Sequence, residues 1–311
     1  MITSVCLNPC IDKTVTIPRL VVGGMNRVQS SRLDYVGKGV NVALNLRALG
    51  EDCACVGCIG RAGGDETIAR LRGAGVATEF IRVNGDERIN IKLIDSSTGR
   101  ITEINESGPP VDASVYTQIE FLTTSFARRS EWLVLTGSLP TGLPKDTYAR
   151  LIRAVRRAAP DCRVALDAEG EAFASSVREK PDFIKPNQYE LELYCGTPCA
   201  ERGMAAGEAL KLIELGIPNV LVSMGADGAV WADAHTQAYA AAADVMVRST
   251  AGAGDAMLSG WLSAHRRGAG ALDAFRFAVA AAGAKVMTEG TQPITRGDVE
   301  RLLSGVALEM L

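Results

Sequence analysis

The 311 residues carry 47% hydrophobic content and a formal net charge of -3, enough apolar material for one large α/β domain or two smaller ones. No basic excess or basic stripe marks a nucleic-acid partner, and Arg153, Arg156 and Arg157 read as the solvated face of a helix. The opening MITSVCLNPC lacks the charged and apolar regions of a secretory signal, and charged residues interrupt the alanine-rich run at 277–287, so a cytoplasmic chain without a membrane partner is expected.

In chain order, ITSVCLNP reads as a buried strand stopped at Asn8-Pro9. Alternating polar and apolar residues follow through DKTVTIPRLVVGG and NRVQSSRLDYV, a pattern of antiparallel strands rather than helix. VGKGVNVALNLRALG is a glycine turn opening a helix over about 40–49, which Gly50 ends. The next strand holds Cys53, Cys55 and Cys58. The eight cysteines lack a matching set of metal-type pairs, and neither His235 nor His265 stands beside one, so the thiols read as reduced, buried small hydrophobes. A second helix is expected at 65–74, then two strands within 88–107 joined at Ser97-Thr98-Gly99.

From EWLVLTG onward, short apolar runs (CRVALDAE, DFIKPN, NVLVSMG) alternate with helical stretches at 146–158 and 204–215. That alternation predicts a mostly parallel sheet with helices on both faces, and the last third reads as two adjacent helices. Segments 13–35 and 88–107 do not fit the parallel sheet and are expected to pair as a small accessory sheet, a lid on a single domain spanning 1–311.

STAGAGDAMLSGWL at 249–262 is the strongest chemical signal. Its glycines let the amides of Gly252, Ala253 and Gly254 converge at a helix start, where the helix dipole favours anions. Asp255 beside them suits a base that takes the proton of an attacking hydroxyl; the competing reading is a simple helix cap. Lys38 and Asn41 flank the turn into the first helix, and KPNQYELE places Lys185, Asn187 and Glu190 after a strand, each of which also fits a capping role. Neither a P-loop nor a dinucleotide fingerprint is present, and two histidines without a triad arrangement disfavour a hydrolase.

Taken together, the ordered segments CLNPCID, MNRV, VGKGVNVA, ERINIK, GSLP, KPNQYEL, SMGADGA and TAGAGDA resemble the ribokinase-like carbohydrate kinases over nearly the whole chain. They are most similar to the branch of 1-phosphofructokinases and tagatose-6-phosphate kinases. The resemblance implies an α/β/α sandwich with a β-sheet lid, Asp255 as base and 252–254 as anion hole. It implies Asp12, Gly37, Lys38, Asn41, Arg88, Asn90, Ser138 and Arg27 on the sugar-phosphate side. Lys185, Asn187, Ser223, Gly225 and Gly228 would serve ATP, and Glu190 would hold Mg²⁺ through water. Because phosphoryl transfer needs positioning more than a strong base, Asp255 is expected to keep an ordinary low pKa. Val36 replaces the usual first glycine of the GGKG segment and is expected to restrict the sugar pocket. The implied activity is ATP-dependent phosphorylation of a ketohexose phosphate: fructose 1-phosphate first, with tagatose 6-phosphate and fructose 6-phosphate as alternatives. A kinase of unphosphorylated sugars, a non-catalytic relative and a homodimer joined through the lid also stand as readings at this point.

Overall fold

The computed structural model describes residues 1–112 and 114–311. The chain opens with β1 (Ile2–Cys6), β2 (Cys10–Ile17), β3 (Ser30–Val36), α1 (Lys38–Ala48), β4 (Cys53–Ile59), α2 (Gly64–Gly73) and β5 (Ala77–Arg82). There follow β6 (Arg88–Asp95), β7 (Arg100–Asn105), α3 (Val115–Ala127), β8 (Trp132–Thr136), α4 (Thr147–Ala158), β9 (Arg163–Asp167), α5 (Gly170–Val177), β10 (Phe183–Ile184) and α6 (Gln188–Cys195). Last come α7 (Arg202–Glu214), β11 (Asn219–Ser223), β12 (Ala229–Asp233), β13 (Gln237–Ala240), α8 (Ala253–Arg266), α9 (Ala271–Val286), α10 (Arg296–Leu303) and β14 (Leu308–Met310).

Ten strands form one sheet in the order β14-β13-β12-β11-β10-β9-β8-β1-β4-β5. It is parallel from β5 to β11 and antiparallel from β11 to β14. Central strands such as WLVLT are apolar at every position because helices cover both faces. Successive residues feed opposite cores: Leu133 joins Tyr148, Ile152 and Phe173, whereas Trp132 joins Trp231, Trp261 and Phe275. Cys53, Cys55 and Cys58 are buried in β4 as free thiols, and burial pushes Cys53 and Cys58 up to about 12 and Cys55 well above the usual thiol range. The arginines of α4 face outward, as expected, while Leu151, Ile152 and Val155 pack inward.

The second sheet has the order β3-β2-β6-β7, with β2 and β6 parallel at its centre. This is the small sheet expected from 13–35 and 88–107, except that β2 already starts at Cys10, with only three residues between it and the end of β1. A period-2 pattern exposes one face to polar chemistry: Arg88, Asn90 and Lys92 share a side of β6, in register with Cys10, Asp12 and Thr14.

Helix α8 is buried along nearly its whole length and packs on α9. Gly260 makes this approach possible, since a side-chain carbon there would stand 2.7 Å from Ala281 Cβ. The close packing brings the last turn of α9 behind the first turn of α8.

Candidate active site

Asp255 is the third residue of α8 and is only 4% exposed. Its Oδ2 accepts a 2.8 Å hydrogen bond from Asn41 Nδ2 on α1. Burial pushes the carboxyl up to about 6, the charge of Asp167 adds to that, and Lys38, the Asn41 bond and Lys185 oppose it. The expectation of an ordinary low pKa is therefore corrected. A helix start and two lysines do not outweigh the loss of water around the carboxylate.

Gly252 caps α8 with φ 78°, a left-handed conformation that only glycine takes without strain. The Ala253 amide turns back to the Thr250 carbonyl at 3.3 Å. The next amides of the first turn have no partner four residues back in the helix, so they supply the positive end that the sequence suggested.

Beside this turn stands a chain of alternating charges. Asp167, at the C-terminal end of β9, directs Oδ1 to Lys38 Nζ at 3.1 Å and to Lys185 Nζ at 3.5 Å. Lys38 Nζ is also 3.9 Å from Glu190 Oε1. Lys185 is 3% exposed and packs its Nζ against Gly254. Burial pulls the Lys38 ammonium down, but Asp167, Glu190 and Asp255 outweigh it and its pKa rises. Burial likewise acts against charged Asp167, yet Lys185 and Lys38 hold its carboxyl below the usual range. Glu190 goes the other way, its pKa raised chiefly by burial. Asn187 and Glu190 form a reciprocal capping box at α6, Asn187 Oδ1 accepting from the Glu190 amide and Glu190 Oε2 from the Asn187 amide, both at 2.8 Å. The capping reading thus holds for this pair, and it leaves Glu190 Oε1 directed at Lys38.

On the lid, Asp12 is 6% exposed and accepts from Asn90 Nδ2 at 3.1 Å and Lys92 Nζ at 2.6 Å. Arg88 donates to the Asn8 carbonyl, the nearer contact at 3.2 Å, and to Asn90 Oδ1 at 3.2 Å. Asn8 in turn donates to Ser138 Oγ at 3.1 Å. Gly37 caps α1, and Gly137 packs against Lys38, so the lid residues and the charge chain meet through Asn8, Ser138 and Lys38. Ser223 pairs with Asn187 at the sheet end, while Gly225 and Gly228 (φ 62° and 92°) bound a tight turn between β11 and β12. Arg27 is exposed in the β2–β3 connection and makes no ion pair among the described residues. Val36 is buried at the end of β3, in register with Cys10.

Asp167 and Lys92 escaped the sequence reading as site residues, and Lys285, which lies against Gly252, escaped it altogether. For Asp167 a signal existed: a carboxylate at the C-terminal end of a parallel strand, where α/β sheets bind ligands. Among the described residues no group of three metal-ligating side chains occurs. Mg²⁺ needs only one or two carboxylates besides phosphate and water, and the buried Asp167 Oδ2, which has no hydrogen-bond partner, together with Glu190 meets that requirement.

The pfkB family carbohydrate kinases match residues 6–296. A 1-phosphofructokinase of Xanthomonas campestris is 35% identical over 265 residues, covering 84% of this chain and 83% of its own. A 1-phosphofructokinase of Bacillus subtilis is 33% identical over 313 residues and covers 100% of both chains. The structure of Escherichia coli phosphofructokinase-2 in complex with substrates and products superposes with a TM-score of 0.90 at 24% identity, covering 98% of each chain, a likeness of fold. With its lidded α/β sandwich and a buried aspartate at a glycine-turn helix start, the chain belongs to the pfkB family of carbohydrate kinases.

Proposed function

We propose that this kinase transfers the γ-phosphoryl group of ATP to the 6-hydroxyl of fructose 1-phosphate, giving fructose 1,6-bisphosphate. The observation that carries the reading is the buried Asn41–Asp255 pair at the glycine turn. Asp255 holds the hydroxyl through the oxygen not bonded to Asn41 and accepts its proton as the new bond forms. A carboxylate raised to about 6 is a better proton acceptor than an ordinary aspartate and stays ionised at neutral pH. The first-turn amides of α8 and Lys185 stabilise the charge on the transferring group. Lys185, Asn187, Ser223, Gly225 and Gly228 hold the nucleotide. Glu190 and Asp167 would hold Mg²⁺ through water, and the ion would supply positive charge towards the phosphate oxygens.

Arg88 and Lys92 provide two cations on the polar face of the lid, and a neutral sugar has no use for both. Asp12, Asn90 and Asn41 bind the sugar hydroxyls in this reading, which is supported by Asn41 Oδ1, buried without a hydrogen-bond partner and free to accept from one. The opposite lid face carries Ile91, exposed Leu33 and exposed Ile104, which supports a homodimer joined lid to lid.

Coupled ADP-release assays with fructose 1-phosphate, tagatose 6-phosphate, fructose 6-phosphate and free fructose test the reading. The highest kcat/KM belongs to fructose 1-phosphate. Preference for free fructose overturns it, and preference for another ketohexose phosphate moves the assignment within the branch.

A further inference from the structure

Lys285, in the last turn of α9, is 1% exposed. Its ammonium donates to Thr288 Oγ1 and to the Gly290 carbonyl, both at 2.7 Å, and both acceptors are uncharged. A buried cation without a carboxylate partner is costly, so its position needs a reason. That position is the back of the anion-hole turn. A side-chain carbon on Gly252 would stand 3.2 Å from Lys285 Cε and 3.6 Å from both Asn41 Nδ2 and Asp255 Oδ2. The same helix end holds the approach to the turn, because the Arg248 and Ser249 amides donate to the Val286 carbonyl at 2.7 and 3.2 Å. On the far side, Gly290 lies against Arg32 and Asp34 of the lid strand β3.

We propose that Lys285 is a positioning residue for phosphoryl transfer, an internal cation that braces the 248–254 turn and counters the negative charge arriving in front of it. The proposal rests on the kinase reading above. Lys38 and Lys185 already have Asp167 as counter-ion, whereas the ammonium of Lys285 contacts only uncharged acceptors. The groups facing Lys285 are Asp255 on α8, Asp34 and Arg32 on β3, and Arg70 on α2. Burial is the main influence and brings its ammonium down to about 8, Asp255 and Asp34 resist that, and the two arginines reinforce it.

Isothermal titration with a non-hydrolysable ATP analogue and Mg²⁺ at pH 8, in buffers of differing ionisation heat, reads the proton directly. Wild-type protein takes up a fraction of a proton on binding, since the incoming phosphates restore the charged ammonium, and Lys285→Met loses that uptake. With fructose 1-phosphate, Lys285→Met lowers kcat roughly 10- to 100-fold, leaves KM for the sugar within about threefold, and keeps a Tm no lower than wild type. In Lys285→Ala, ammonium or ethylammonium salts restore part of kcat. A merely structural lysine gives a lower Tm with no change in proton uptake. Absence of uptake in the wild type, or a Lys285→Met enzyme within twofold of wild-type kcat, overturns the proposal. Uptake without turnover of any sugar phosphate overturns the substrate reading and leaves Lys285 standing.

Discussion

Asn41 and Asp255 are 214 positions apart in sequence, yet one hydrogen bond of 2.8 Å joins them where α1 and α8 meet. The bond fixes one carboxylate oxygen and leaves the other for a hydroxyl. It also favours the ionised form, against the burial that works to neutralise it.

Asp255→Asn should lower kcat by roughly 10²–10⁴ while nucleotide still binds. It should also stabilise the fold. The folded carboxyl lies at about 6 against an ordinary 3.8, so the charged form is penalised in the native state. The penalty is fully present above about pH 6, fades as pH falls from there towards 3.8 and is gone below it, with an upper bound of about 3 kcal/mol. A Tm gain of roughly 2–5 °C at pH 8, shrinking at pH 4, is the expected outcome by differential scanning calorimetry. Normal turnover would reduce Asp255 to a helix cap.

Asn41→Leu tests the bond itself. The wild-type kcat/KM should fall as pH drops through about 6, because protonated Asp255 cannot accept a proton. Without the Asn41 donor the carboxyl rises further and this acid limb moves to higher pH. A limb that stays in place assigns it to the substrate's own phosphate.

Glu190→Gln should raise the Mg²⁺ concentration needed for half-maximal rate and leave the sugar KM nearly unchanged. The capping box survives in part, because a Gln side-chain oxygen can still accept from the Asn187 amide. An unaltered metal titration would make Glu190 a cap alone.

Arg88→Ala should raise KM for the sugar phosphate by roughly ten- to a hundredfold, the equivalent of about 1.5–3 kcal/mol for a bond to a charged group, with KM for ATP little changed. Lys92→Ala should act in the same direction and also free Asp12, whose ion pair at 2.6 Å it removes. Initial-rate kinetics with fructose 1-phosphate and free fructose decide this: equal losses on both sugars assign the two cations to lid architecture.

The alternation of apolar strands and helices made the parallel sheet legible, and the period-2 segments betrayed the lid. The β12–β13 hairpin was missed because QAYA is only four residues long and both AVWAD and QAYA are alanine-rich, a composition depleted in strands. Local motifs delivered Asp255, Lys38, Lys185 and Glu190, since a turn and a helix start are sequence-local. The rise in the Asp255 pKa was hidden, because burial depends on α1, α8 and α9 meeting. Lys285 was hidden for the same reason: in AAAGAKVM it looks like the basic end of a helix, and only its packing against Gly252 reveals a different place.

One oxygen of Asp167 serves both Lys38 and Lys185. In the function proposed above Lys38 serves the sugar and Lys185 the nucleotide, so the two ligands would share a single electrostatic counterweight. Phosphate that draws Lys185 away leaves Asp167 wholly to Lys38, so occupancy of one half alters the charge presented to the other. Whatever factor the nucleotide imposes on sugar affinity, the sugar must impose on nucleotide affinity. An Asp167→Asn enzyme would lose that coupling and bind each ligand as though the other were absent.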